Sequence, residues 1–551
     1  MPTITFSLTD LQNIVGKKLS VEEVGDYAHL GKGDFEGYDK ETDEIKIDFG
    51  DTNLPYLWSV EGFARLIKSI LGKTKGIPKI KINKSDYKII VDNSVSKVRP
   101  FIAGFVAKGK KVDDYSIKQL IQLQEKLCEN FGRRRQKVAI GVYSYKKIVF
   151  PIHYKATNPE SVKFTPLDFK REMTQQEILE SHPKGKEYSW ILKDQKKYPI
   201  LLDSKDQVLS FPPIINSAIT GKVEEGEEDL LFEVTGTDLN AVLLSTNIFA
   251  YALFDRGYEI YSLEINYSDK KITTPHMFND TIKLRKDEVK KLIGLDLKEA
   301  EIKKLLEKIH YDYDNNTVEI PPFRKDILHP VDIIEDIAIS YGYNKIEEQP
   351  LTSYTIGETS QMIRSIERIR EMAVGLGYIE VMSPILTNKE ILHGKMNIKN
   401  SGTIELSNPV SETYSSVRSW ILPSLFEVLS KNKHVEYPQK IFEQGIIASK
   451  KTSKVNEFER VAILSAHEKA DFTEIKQILD CLLRSLNISY EIEDVDHDSF
   501  IPGRVGRVIV NNKKVAYIGE VSPKVLENFS LDIPVCALEL NLTELFNSKK
   551  N

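Results

Sequence analysis

The sequence predicts an α+β protein of several domains, and three observations carry that expectation. At 551 residues the chain is too long for one hydrophobic core and corresponds to about three to four domains. A stretch dense in short strands, residues 76–270, gives way to a helix-rich stretch, residues 271–350. Hydrophobic residues at 41% and charged residues at 28% are the balance of a chain that folds in water.

Composition also narrows the function classes. Lys+Arg 76 against Asp+Glu 81 leaves a net charge of −5, which argues against a surface that wraps nucleic acid throughout while allowing local basic patches. The cysteines Cys128, Cys481 and Cys536 are far apart and odd in number, so neither a disulfide framework nor a zinc site follows, and a reducing cytoplasm suits them. The opening MPTITFSLTDL lacks the basic start and apolar core of a signal peptide. No run approaches the roughly 18 apolar residues of a membrane span.

Residues 1–75 read as a small α/β structural module. Leu11, Ile14 and Val15 open one helix, and Val60, Phe63, Ala64, Leu66, Ile67 and Ile70 repeat at helical spacing in a second. Residues 76–270 hold the strand candidates YKIIVD, RPFIAGFVA, KVAIGVYS, YPILLD, LLFEVTG and IYSLEINY, with one strong helix over Ser116 to Phe131. KGKK, EEGEED and YSDKK supply turns.

Residues 271–350 contain LRKDEVKKLIGLDLKEAEIKKLLEKI, two short amphipathic helices broken at Gly294-Leu295-Asp296. A helix–turn–helix architecture follows, although Lys and Glu interspersed on the second helix read as a solvated face. The stretch ends in PPFRKDILHPVDIIEDIAISYGYNKI, where Asp326, Asp332, Glu335 and Asp336 crowd together. Pro330 stands where a helix can begin, and from it Asp332, Glu335 and Asp336 fall at i, i+3 and i+4 on one face. Like charges so placed need a compensating cation. Hard oxygen ligands suit Mg²⁺, and an acidic first turn complementing the helix dipole is the other reading.

Residues 351–551 begin with the amphipathic helix SQMIRSIERIREMAVGLGYIEV, followed by an apolar helix in TYSSVRSWILPSLFEVLSKN and the strand QKIFEQGIIAS. An antiparallel-sheet domain is expected there.

The acidic segment resembles a family signature. Phe323-Arg324, Asp326-Ile327-Leu328-His329, Asp332, Glu335-Asp336 and Tyr341-Gly342-Tyr343 fill nearly every position of the motif that marks β subunits of phenylalanine–tRNA ligases of the archaeal and eukaryotic type. The resemblance implies a cytoplasmic (αβ)₂ heterotetramer in which the α subunit binds ATP and phenylalanine and charges tRNA(Phe). It also implies a Mg²⁺ site, shared with the α subunit, at Asp326, Asp332, Glu335 and Asp336. Residues 76–270 resemble the family's editing module through GRRRQKVAIGVYS, FPPIINS and FEVTGTDLNAV, and 351–551 resemble a class II synthetase sheet. TNLPYLWSVEGFAR resembles the family's first module, with Leu54 and Tyr56 replacing the usual Arg and Asp.

The editing module in that family hydrolyses tyrosine wrongly attached to the phenylalanine tRNA. The editing candidates are Asn216 and Glu233, with Ser217, Thr235, Thr237 and Asp238 nearby in sequence; Glu233 would bind the tyrosine hydroxyl or orient a water. Gly141-Val142-Tyr143-Ser144 departs from the Gly-x-His-Asp of many relatives. Arg133-Arg134-Arg135 reads either as a contact to acceptor-end phosphates or as a solvated helix end. For adenylation no catalytic residue is expected in this chain. Gly445-Ile446-Ile447-Ala448-Ser449 offers no Arg, and Val535-Cys536-Ala537-Leu538-Glu539-Leu540 lacks both the glycines and the Arg that clamp ATP. The class II-like domain is therefore expected to be degenerate, with Arg418 and Arg504 reaching outward. A free-standing tRNA-editing hydrolase and a nucleic-acid-binding protein without a ligase partner stand as the alternatives.

Overall fold

A computed structural model describes residues 2–50, 53–399, 402–451 and 454–547. The chain divides into two compact units, Met1–Gln349 and Pro350–Asn551. Among the described residues no helix is long and apolar enough to cross a membrane.

The first unit opens with a three-stranded antiparallel sheet in which Glu44–Asp48 lies between Thr3–Ser7 and Asp34–Asp39. Both expected helices form, as Leu8–Val15 and Val60–Ile70. Ser7 and Ser59 cap them by accepting backbone N–H bonds, and Gly16 in the left-handed conformation stops the first.

Two larger sheets follow. One has seven strands, running in space from Ile215–Asn216 through Val208–Phe211, Tyr198–Leu202, Ile152–Thr157, Lys88–Val91 and Leu263–Asn266 to Lys271–Thr274. The other has five strands, with Leu230–Gly236 between Phe101–Lys108 and Val138–Ser144 and antiparallel to both. Every residue of Leu230–Gly236 is buried, because Leu230, Phe232 and Val234 share a core with the apolar helix Leu239–Asp255 while Leu231 on the other face packs in a core with Leu201 and Leu209 of the seven-stranded sheet. The helix expected over Ser116 to Phe131 starts at Asp114, where Asp113 caps it, and its last turn, Leu127–Phe131, widens into a π-helix.

A small sheet of Thr281–Lys283, Thr317–Glu319 and Asp312–Asp314 ends the unit with three helices, Lys286–Ile293, Glu299–Glu307 and Pro330–Tyr341. The expected break falls at Gly294, whose φ of 83° only glycine adopts freely.

The second unit is built on a seven-stranded sheet ordered Ile379–Glu380, Gln439–Lys451, Lys454–Ala466, Val535–Asn541, Lys513–Val521, Phe500–Val510, Glu491–Asp494. Its pairs are antiparallel except the first, which is parallel. Strand alternation makes two cores. Val461, Ile463, Leu538 and Leu540 face the core that includes Ile369 and Leu479, while Ala462, Leu464 and Ala537 face Leu425 and Phe426.

Arg418 departs from expectation. It is buried rather than outward-facing, ion-paired with Glu443, and its guanidinium reaches Ser383 Oγ at 3.1 Å and the Ile446 carbonyl at 2.9 Å. A side chain at Gly445 would overlap that guanidinium, so the strand leaves a gap for it. Arg504 is exposed and pairs with Glu520 at 2.6 Å.

Candidate functional site

Glu233 is a carboxylate in the middle of a wholly buried strand, and its residue pairs across the sheet are Gly104 and Gly141. A Cβ at Gly141 would overlap both the Tyr143 hydroxyl and Glu233 Oε2, so glycine there makes room for a polar contact. Tyr143 donates its hydroxyl to Glu233 Oε2 at 2.7 Å and lies 2.8 Å from Ser210 Oγ. Thr235, one period along the strand, is held by the buried Arg99. The Arg99 Nε–H donates to Thr235 Oγ1 at 2.9 Å and Nη2 to the Thr235 carbonyl at 2.6 Å. Arg99 Nη1 donates to the carbonyls of Arg135 and Gln136, both at 3.1 Å.

Burial pushes the Glu233 carboxyl up to about 7, against the pull of the Tyr143 hydrogen bond, the Arg99 charge and Thr235. A carboxyl that changes charge near neutrality, beside an opening, is a mark of functional sites. The opening is a cavity of about 170 Å³ lined by Glu233, Thr235, Ser210, Asn216, Arg135 and Asp168, among others. Asn216 donates to the Val142 carbonyl at 3.3 Å.

The structure therefore brings Asn216 and Glu233 to one cavity, with Thr235. The other nearby candidates serve elsewhere. Ser217 accepts from Ile219 N, and Asp238 caps the helix Leu239–Asp255. Sequence reasoning missed Tyr143, Ser210 and Arg99 as partners of Glu233 and Thr235 at this cavity. In the sequence Tyr143 stands out only as a departure from a pattern, and the signal that finds it is cross-strand register.

The arginine triplet does not end a regular helix. Arg133, Arg134 and Arg135 have φ of 51°, 52° and 64°, a left-handed run that costs about 1–2 kcal/mol per residue for side chains with a Cβ. It sends the three side chains three ways. Arg135 lines the cavity and donates to the Ile214 carbonyl at 2.9 Å, Arg134 lies 5.8 Å from the Trp190 ring, and Arg133 lines a second cleft.

The acidic segment forms the expected helix, Pro330–Tyr341, with Pro330 in its first turn. Its four carboxylates do not converge. Asp332 is a capping residue whose Oδ2 accepts from Leu328 N and His329 N, both at 2.8 Å. Glu335 pairs with Lys32 at 3.1 Å. Asp326 and Asp336 both bind Arg324, whose side chain is only 4% exposed. Its Nε lies 3.0 Å from Asp326 Oδ1, its Nη1 lies 2.7 Å from Asp336 Oδ2, and Tyr311 also donates to Asp336. Among the described residues no group of three or more His, Cys, Asp or Glu side chains is placed to hold a metal ion. A Mg²⁺ site closed by these four carboxylates within the chain does not fit, because Arg324 already supplies the cation between two of them. For Asp332, helix capping is the role the geometry supports.

Two family models match. One described as "tRNA synthetase B5 domain" covers residues 282–343, and one described as "Phenylalanyl tRNA synthetase beta chain CLM domain" covers 347–542. The chain is thus a subunit of an aminoacyl-tRNA synthetase. Proteins named phenylalanine–tRNA ligase beta subunit are similar along the full length. That of Pyrococcus horikoshii is 43% identical over 99% of this chain and 100% of its own. That of Thermococcus onnurineus is 40% identical over 99% of both, and that of Archaeoglobus fulgidus 40% over 92% and 93%. A crystal structure of an N-terminal fragment of the Pyrococcus horikoshii β subunit covers 62% of this chain and 100% of the fragment, at 42% identity and a TM-score of 0.60. The chain belongs to the β-subunit family of phenylalanine–tRNA ligases.

Proposed function

We propose that this β subunit carries an editing centre at the Glu233 cavity and leaves adenylation to an α partner in an (αβ)₂ heterotetramer on tRNA(Phe). The observation that carries the editing reading is Glu233 itself: a buried carboxyl, already holding one phenol, that faces a cavity with Asn216 and Thr235. An apolar pocket for phenylalanine rejects an added hydroxyl by only about 10². A second site that binds the hydroxyl supplies the rest. Glu233 would accept the hydrogen bond of a misattached tyrosine. Water would then add to the ester carbonyl, the bond to the ribose oxygen would break, and that oxygen would take the proton.

The absence of adenylation in this chain rests on how the ATP-clamping positions are used in the second unit. Leu540 is core, and Glu539 accepts from Ile421 N and Leu422 N, both at 2.9 Å, which anchors the helix Leu422–Lys431. This supports reading 351–551 as a degenerate class II sheet used for assembly, 76–270 as the editing domain, and 1–75 and 271–350 as the structural and helix-rich modules beside it. Any Mg²⁺ at the acidic helix would have to draw on Asp332 beside its capping bonds and displace Lys32 from Glu335, and would find its other ligands in the α partner.

The test is coexpression with an α subunit and an assay for tyrosyl-tRNA(Phe). The Glu233→Ala complex is expected to accumulate it, and the unaltered complex is not. Equal accumulation by both would overturn the editing reading, and failure to form a complex would overturn the assembly reading.

A further inference from the structure

We propose that Trp190 and Arg134 form a ledge beside the Glu233 cavity on which a base of the single-stranded 3′ end of a tRNA stacks. The inference rests on the reading that the cavity receives an aminoacyl-tRNA, and it names a surface outside that cavity.

Trp58 is fully buried and Trp420 half-buried with its Nε1 donating to the Leu392 carbonyl, whereas Trp190 is 42% exposed. A lone exposed tryptophan would mean little by itself. This one has the exposed Arg134 guanidinium 5.8 Å from its ring centroid, a pairing of aromatic face and cation that suits both a base and its phosphate. The ledge joins the cavity through neighbouring residues. Arg135, next to Arg134, lines the cavity and lies 4.2 Å over the Tyr188 ring, and Lys184, also in the cavity wall, lies 5.6 Å from the same ring. The left-handed run at 133–135 is what splits adjacent arginines between wall and ledge.

Charge agrees. Residues 184–197, the segment that carries Trp190, hold five lysines against Glu187 and Asp194 on a chain of net charge −5, one of them, Lys184, paired with Glu187 at 3.0 Å. Phosphates follow such a basic stretch, and stacking on a ring needs only the face of a base.

The test uses the full chain and an acceptor-stem RNA hairpin with its single-stranded 3′ end, beside the same hairpin trimmed flush. The extended hairpin is expected to quench tryptophan emission, and the trimmed one to leave it unchanged. Trp190→Ala is expected to abolish the quenching and weaken binding about tenfold. Arg134→Ala is expected to reduce the slope of log affinity on log salt by about 0.7. Equal quenching by both hairpins, or affinity within about twofold in Trp190→Ala, would overturn the ledge. Quenching by the extended hairpin, together with accumulation of tyrosyl-tRNA(Phe) by the unaltered complex with an α subunit, would support the ledge and overturn the editing reading instead. Because the quenching is read in the unaltered protein, a variant that folds poorly does not remove the test.

Discussion

The Tyr143 hydroxyl stands 2.7 Å from Glu233 Oε2, with both side chains buried and no side chain at Gly141 to separate them. A built-in phenol thus makes on this carboxylate the kind of contact proposed above for a tyrosine substrate. It orients Glu233 and, by donating to the charged form, opposes the upward push of burial.

Removing that donor has a defined sign. In Tyr143→Phe the carboxylate loses a hydrogen bond, so the Glu233 carboxyl rises further above about 7. A hydrogen bond to a charged group is worth about 1.5–3 kcal/mol, which corresponds to a shift of roughly one to two units. The pH profile of tyrosyl-tRNA(Phe) hydrolysis is expected to keep its shape and move to higher pH by about that much. A uniform loss at every pH would mean that Tyr143 only packs.

The same burial couples Glu233 to stability. Its carboxyl sits at about 7 in the folded chain against an ordinary 4.5, so between those values the folded form keeps a proton that the unfolded form has released. Stability from this group is present below 4.5 and is lost as pH rises through 7, by about 3 kcal/mol in all. Glu233→Gln keeps the shape and removes the titration. Compared at pH 5 and pH 8, its thermal unfolding should show less loss than the unaltered chain. Identical pH dependence in the two proteins would show that Glu233 titrates normally.

Periodicity made the local elements legible and left the site half read. The helix Val60–Ile70 and the stop at Gly294 follow from spacing and a glycine, both local signals. Glu233 and Asn216 come from the resemblance of FEVTGTD and FPPIINS to the family's editing module. Tyr143, Ser210 and Arg99 were not legible as partners. Tyr143 reaches Glu233 across 90 residues, Ser210 reaches Tyr143 across 67 and Arg99 reaches Thr235 across 136, and contacts between such distant segments are not a property of any window. The acidic helix shows the converse. Spacing put Asp332, Glu335 and Asp336 on one face, but Asp336 lies at the buried edge of that face, where Arg324 and Tyr311 claim it.

Magnesium separates the two accounts of that helix. With Arg324 between Asp326 and Asp336, Mg²⁺ at millimolar concentration is expected to leave the melting temperature of the isolated chain unchanged. In a complex with an α subunit, a shared ion at Asp332 and Glu335 should raise it, and Glu335→Gln should cancel the rise. Stabilisation of the isolated chain would restore the four-carboxylate site.

Arg324 is the residue on which the helix-rich module depends most. Its guanidinium is buried, bonded to Asp326 and Asp336, and packed 5.3 Å from the Tyr311 ring centroid. Removing one member of a buried ion pair leaves the other uncompensated, at a cost of about 3–5 kcal/mol. Arg324→Met should destabilise the first unit by that order in urea unfolding. The double variant Arg324→Met with Asp336→Asn should recover part of the loss, because the orphaned charge at the buried position is gone while the Tyr311 hydroxyl keeps an acceptor. If the double variant is no more stable than the single one, the cost lies in lost packing around the guanidinium and not in the unpaired carboxylate.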